Sequence, residues 1–210
     1  MRADFRNFLH RAFVVFRHTP SRVQYDIADW LQNGPKGRGV EGHRGAGKSY
    51  ITATLAAWFL FCNPNETIIC ISQNQLKAGE FIGLTRQLIQ CMPELAHLKP
   101  GDNDKDGAFK FVVGARTIPS KDPSVAAFGS TSMVTGSHAN KVICDDVETR
   151  KNSETVEARD KLFNFMTVEL ESVLNPGGDL IVLGTPHNRE SVYNRLDFNK
   201  TIVVRKWPVE

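Results

Sequence analysis

Phe5, Phe8, Leu9, Ala12, Phe13 and Phe16 recur three and four positions apart, the spacing that puts side chains on one face of a helix. The first segment therefore reads as an amphipathic helix with an aromatic stripe, which either packs on the domain or docks to a partner. Thr19-Pro20-Ser21 opens a second helix through Gln24, Ile27, Ala28 and Leu31, and Asn33-Gly34-Pro35 closes it. The pattern then changes to short apolar runs alternating with helical stretches. Strands are expected at 39–41, 67–72, 141–144, 180–183 and 201–204, and helices at 48–61, 78–91 and 153–174. Residues 109–113 and 117–119 resemble a hairpin. Strands separated by helices predict an α/β fold with a mostly parallel sheet covered on both faces.

Composition narrows the class. The 210 residues are 41% hydrophobic and 23% charged, which excludes disordered and collagen-like chains and suits one domain with a real core. The longest apolar run, 55–62, is far short of a membrane span, and Asp4, Arg6, His10 and Arg11 interrupt any signal-peptide core, so a soluble intracellular protein is expected. The four cysteines lack metal-binding spacing, and three of them sit in apolar stretches, which suggests reduced, buried thiols; the six histidines form no zinc motif. A net charge of +3 permits a nucleic-acid partner without arguing for one. Lys99, Lys105, Lys110, Arg116 and Lys121 around the expected hairpin are candidate phosphate contacts, or simply a solvated face.

Two motifs carry chemistry. Gly42-His43-Arg44-Gly45-Ala46-Gly47-Lys48-Ser49 is a complete phosphate-binding loop, fed by a strand and followed by a helix that begins with Tyr50 close behind. Its glycines let backbone N–H groups turn toward phosphate oxygens, and the helix N-terminus adds partial positive charge. Lys48 is expected to reach the β- and γ-phosphates of ATP and the Ser49 hydroxyl to ligate Mg²⁺. The second motif, 142–148, is an apolar strand ending in Asp145, Asp146 and Glu148. Asp145 is the candidate Mg²⁺ carboxylate; Asp146 or Glu148 is the candidate base that orients the attacking water, with Asp146 slightly preferred. Asp102 to Gly107 mimics the start of a calcium loop, but its twelfth position is Val113, so a charged turn is expected.

The phosphate loop, the 134–139 segment Val-Thr-Gly-Ser-His-Ala, the 144–148 segment Cys-Asp-Asp-Val-Glu and the 183–186 segment Leu-Gly-Thr-Pro occur in an order that resembles phage terminase large subunits. The resemblance is strongest to those of short-tailed phages, called DNA maturase B, and spans 24–207. It implies an additional-strand P-loop ATPase that drives double-stranded DNA into a preformed capsid. The implied partners are DNA, the portal, the small terminase subunit and further copies in a ring, in the host bacterial cytoplasm and transiently at the procapsid. By position, Gln24 resembles the family's adenine-reading glutamine, Arg44 a γ-phosphate sensor, and Thr185, with His187 or Asn188, the motif that couples hydrolysis to motion. His138 stands where related sequences often carry arginine. A trans-acting arginine must come from elsewhere, with Arg116, Arg150 and Arg159 as unranked candidates. Residues 1–35 would supply the N-terminal helices and 36–207 the nucleotide-binding core of one ATPase domain. Full-length members add a nuclease domain; this chain ends at Glu210 before one, so the ATPase half alone is expected. Two other readings remain: a helicase-like translocase and a nucleotide-gated assembly module with negligible hydrolysis.

Overall fold

The first two helices begin with the same device, a side-chain oxygen that receives amides left unpaired at a helix start. Asp4 accepts from the amides of Arg6 and Asn7 to open α1 (Phe5–Val15). Ser21 opens α2 (Arg22–Asn33) in a reciprocal box with Gln24, and the Gly34 amide returns to the Trp30 carbonyl at its end. The computed structural model describes residues 3–101, 106–132, 134, 136–187, 189–198 and 202–208.

β1 (Gly37–Gly42) leads into α3 (Lys48–Cys62), and β2 (Ile68–Ser72) into α4 (Gln75–Cys91), which Asn74 caps. A 3₁₀ turn at Pro93–Leu98 precedes the short antiparallel pair β3 (Asp106–Gly107) and β4 (Lys110–Phe111). β5 (Val125–Gly129) and β6 (Ala139–Asp145) follow, then α5 (Arg150–Ser153), α6 (Val156–Asn164), a π-helical turn at Phe165–Glu169 and α7 (Leu170–Val173). The chain continues through β7 (Leu174–Gly184), α8 (Val192–Phe198) and β8 (Val203–Trp207).

Among the described residues the strands form one sheet in the order β3-β4-β5-β2-β6-β7-β1-β8. From β5 to β8 all neighbours are parallel; β3 and β4 add an antiparallel edge. Alternation within β2 assigns the two faces: Ile68 and Cys70 pack under α1 to α4, whereas Ile69 and Ile71 face α6, α7 and α8. The aromatic stripe of α1 is core: Phe5, Phe8, Leu9, Ala12 and Phe13 are all buried, Phe5 against Trp58 and Phe8 against Phe61. α3 buries nearly its whole circumference, which is why its sequence is apolar all round.

Several expectations change. Residues 117–119 are not a strand, because the Asn65 side chain takes up the amides of Thr117 and Ile118 that a ladder would need. The hairpin is instead β3 with β4. The single helix expected over 153–174 is divided, since Thr155 caps a new start at α6 and a π turn interrupts the run at Phe165. β5 escaped the reading because Ala126 and Ala127 carry no strand preference; the parallel pairing with β2 makes it a strand. Strand β7 starts six residues earlier than expected, extending back through Asn-Pro-Gly-Gly. Cys70 and Cys144 are buried but Cys62 and Cys91 are exposed, at the ends of α3 and α4. The calcium-loop mimic lies mostly outside the described residues, at 102–105, as do Lys105 and Asn188.

Candidate nucleotide site

Parallel register brings the chemistry to one edge. Ser72 of β2 pairs with Asp145 of β6, Asp145 with Leu183 of β7, and Glu41 of β1 with Gly184. The loops after β1, β2, β6 and β7 therefore meet at the carboxyl end of the sheet, where open α/β folds place ligands. β7 lies between the phosphate-loop strand β1 and the acid-bearing strand β6. That inserted strand holds the two motifs one strand apart.

The phosphate loop keeps its shape through Gly47, whose φ of +75° belongs to the left-handed region. A side chain there would also meet Gln24 Nε2 at 2.6 Å. Gln24 itself is fully engaged with the fold: its oxygen accepts from the Ser21 amide at 2.8 Å and its nitrogen donates to the Ala46 carbonyl at 3.0 Å. In this arrangement it braces the phosphate loop from behind. The Tyr50 ring packs against Phe16 at 4.9 Å and against Phe13 and His18, while its amide donates to the Gly47 carbonyl. Arg44 and Ser49 are exposed on the loop, and His43 has a buried ring nitrogen, Nδ1, with no hydrogen-bond partner.

Lys48 is buried and folds back on the loop. Its ammonium donates to the carbonyls of Gly42 and His43 at 3.3 and 3.1 Å and to Thr185 Oγ1 at 2.7 Å. Thr185 in turn donates to the Gly42 carbonyl at 2.9 Å. Burial lowers the Lys48 pKa, and the Asp146 and Asp145 carboxylates oppose that shift. A hydrogen bond thus joins the phosphate loop directly to the loop after β7.

The two aspartates differ sharply in environment. Asp145 is buried at the end of β6, touching the Ser49 and Thr52 hydroxyls, and its Oδ1 has no partner. A buried carboxylate oxygen left open beside a hydroxyl fits a hard cation such as Mg²⁺, with Asp145 and Ser49 as the groups that would hold it. Asp146 sits at φ +53°, a left-handed backbone uncommon for a non-glycine residue. Its amide donates to the Leu183 carbonyl at 2.8 Å and its Oδ1 accepts from the Thr185 amide at 3.1 Å. These two bonds hold the turn that places the carboxylate on a cleft of about 650 Å³, whose lining also includes Glu148, Thr149, Arg44, Gln73, Asn74, Arg150, Lys151, Thr185 and His187.

Burial pushes the Asp145 carboxyl up to about 6 from its ordinary 3.8. Between those values the folded chain keeps a proton that the unfolded chain has released, so metal-free stability falls as pH rises through the window. A shift of that size corresponds to about 3 kcal/mol. In chelator, the unfolding free energy of Asp145→Asn should gain on the parent by about 2 kcal/mol between pH 4 and pH 7. Denaturant titrations showing a constant difference would refute this assignment.

Glu148 is also buried, but its carboxylate is already occupied by groups of the loop after β7 and the start of α8. His138 is exposed at the opposite end of β6 from Asp145, roughly 20 Å away at about 3.3 Å per strand residue, and so cannot serve this chain's own phosphate site. Of the arginine candidates, Arg150 borders the cleft, Arg159 pairs with Glu190, and Arg116 donates to the Ile118 and Asp122 carbonyls. Gln73 and Asn74 were missed, although polar residues directly after a buried strand are the signal that finds them.

The fold is similar to the large-terminase ATPase domain of Thermus phage P74-26, with a TM-score of 0.57 and 18% identity over 87% of this chain and 71% of that one. It is the fold of a phage large-terminase ATPase domain. The HK97 bacteriophage large terminase shares it with a TM-score of 0.54 and 15% identity, over 89% of this chain and 39% of that one. In sequence, the chain is 33% identical over 215 residues to the terminase large subunit of Enterobacteria phage T3. That similarity covers 99% of this chain and 36% of the T3 protein, so the chain spans just over a third of its relative's length. No family model matches the chain. Among the described residues, no helix is long and apolar enough to cross a membrane.

Proposed function

We propose that this chain is the ATPase part of a viral DNA-packaging terminase large subunit, hydrolysing ATP to drive double-stranded DNA through the portal into a procapsid. The observation that carries this reading is the convergence of Lys48, Asp145, Asp146 and Thr185 on one sheet edge, with Lys48 bonded to Thr185. Backbone amides from Gly42 to Ser49 cradle the phosphates, and Lys48 exchanges its carbonyl partners for the β- and γ-phosphate oxygens. Mg²⁺ bound by Ser49 and Asp145 would neutralise charge on the β- and γ-phosphate oxygens. Asp146 orients the water for in-line attack, its second oxygen being left for that role by the Thr185 amide on the first. Arg44, exposed on the loop, presents a fixed fork of donors to the γ-phosphate. Gln24 supports the loop while adenine is bound nearby. As Lys48 turns to phosphate it gives up its bond to Thr185, which stays held by the Gly42 carbonyl and Asp146, and that loss links the nucleotide to the loop after β7.

A ring of copies on the portal, in the host cytoplasm and with the small subunit, completes the machine; each neighbour supplies an arginine in trans. ATP turnover measured against protein concentration, with and without linear double-stranded DNA, tests this. Turnover per chain should rise with both. Tight ATP binding without turnover under every condition would favour a nucleotide-gated module, and DNA strand separation would favour a helicase.

A further inference from the structure

Glu148 carries the densest set of hydrogen bonds at the site edge, and none of them goes to the phosphate loop. Its Oε2 accepts from Ser191 Oγ at 2.9 Å and from the Val192 amide at 2.7 Å, and its Oε1 accepts from the His187 amide at 3.3 Å. Its own amide donates to the Tyr193 hydroxyl at 3.3 Å, and its carbonyl lies 3.2 Å from His187 Nε2. Tyr193 is buried and its ring lies so close to Gly184 that a side chain at 184 would come within 2.0 Å of it. The segment after β7 is therefore fastened to Glu148 at His187 and again from Ser191 to Tyr193. At its near end, the same segment carries Thr185, the partner of Lys48 and of Asp146. At its far end, Glu190 pairs with Arg159 of α6, and Asn194 with Lys206 of β8.

We propose that Glu148 is a positioning residue, not the base: with Ser191 and Tyr193 it clamps the loop after β7 and α8 to the acid-bearing loop after β6. This rests on the ATPase reading above. Both acids border the cleft, but three donors already converge on the two carboxylate oxygens of Glu148, which leaves little of it to hold a water, whereas Asp146 accepts only the Thr185 amide, on Oδ1. The clamp makes the loop after β7 and α8 one body, so that release of Thr185 by Lys48 is felt at α8.

Glu148→Gln keeps the size but offers one acceptor oxygen to three donors, so at least one bond is lost. Amide hydrogen exchange of the nucleotide-free protein reads the clamp without any ATPase activity. The His187 or Val192 amide should exchange on the order of tenfold faster in Glu148→Gln, and the change should be reproduced by Ser191→Ala and reversed in Ser191→Thr. Turnover in Glu148→Gln should fall about tenfold to a hundredfold with KM for ATP near that of the parent. Unchanged exchange at 185–193, together with a loss of turnover on the order of 10³-fold or more, would overturn the proposal and make Glu148 the base. Failure of the parent chain to bind ATP would defeat the ATPase reading instead, while the exchange result would still decide whether the clamp exists.

Discussion

Lys48→Ala abolishes tight ATP binding, and turnover falls on the order of 10²–10³-fold or more, because a buried ammonium aimed at developing phosphate charge has no substitute in the loop. The fold should survive. Lys48 is buried with its charge offset by the Asp146 and Asp145 carboxylates and its two carbonyl and one hydroxyl acceptors, and of those groups Asp146 and Thr185 border the open cleft, where water can replace it. Equilibrium binding of a fluorescent ATP analogue, alongside circular dichroism, separates lost binding from lost structure. Parent-like turnover in a folded Lys48→Ala chain would end the phosphate-loop assignment.

Asp146→Asn binds ATP with near-parent affinity but turns it over about 10²–10⁴-fold more slowly, the range expected when a positioned base is lost. The asparagine oxygen can still accept from the Thr185 amide, so the turn at Asp146 persists; asparagine is also among the residues most tolerant of a left-handed backbone. Alanine would be a poorer test, since it removes the acceptor and adds backbone strain at φ +53°. Single-turnover hydrolysis with pre-bound ATP isolates the chemical step. If Asp146→Asn hydrolyses ATP like the parent while Glu148→Gln does not, the base is Glu148.

Much of this molecule is legible as pattern. The helical period of Phe5 to Phe16 locates a core helix, the all-apolar α3 announces burial on every side, and the phosphate loop specifies its own backbone through Gly45 and Gly47. Asp145 is readable because acids that end a buried strand beside such a loop have few other uses. What escaped has a common cause. Strand β5, with two alanines, has no propensity of its own and exists because β2 offers it a parallel partner. The expected strand at 117–119 failed because one distant side chain, Asn65, supplies acceptors for its amides. The long helix broke where Thr155 found a better use as a cap.

The site divides along the same line. Residue types and their spacing alone pointed to a phosphate loop and strand-end acids, because backbone N–H geometry and strand-end placement are encoded within a few neighbouring residues, whereas Thr185 was singled out only by the family resemblance. Sequence preferred Asp146 over Glu148 only slightly, as two carboxylates two residues apart. Only the tertiary structure parts them, through donors at His187, Ser191 and Val192 that lie some forty positions away in the chain and close around Glu148 alone. Which carboxylate is free to meet water is set by long-range hydrogen bonds, and these form only when the sheet brings β6 and β7 side by side.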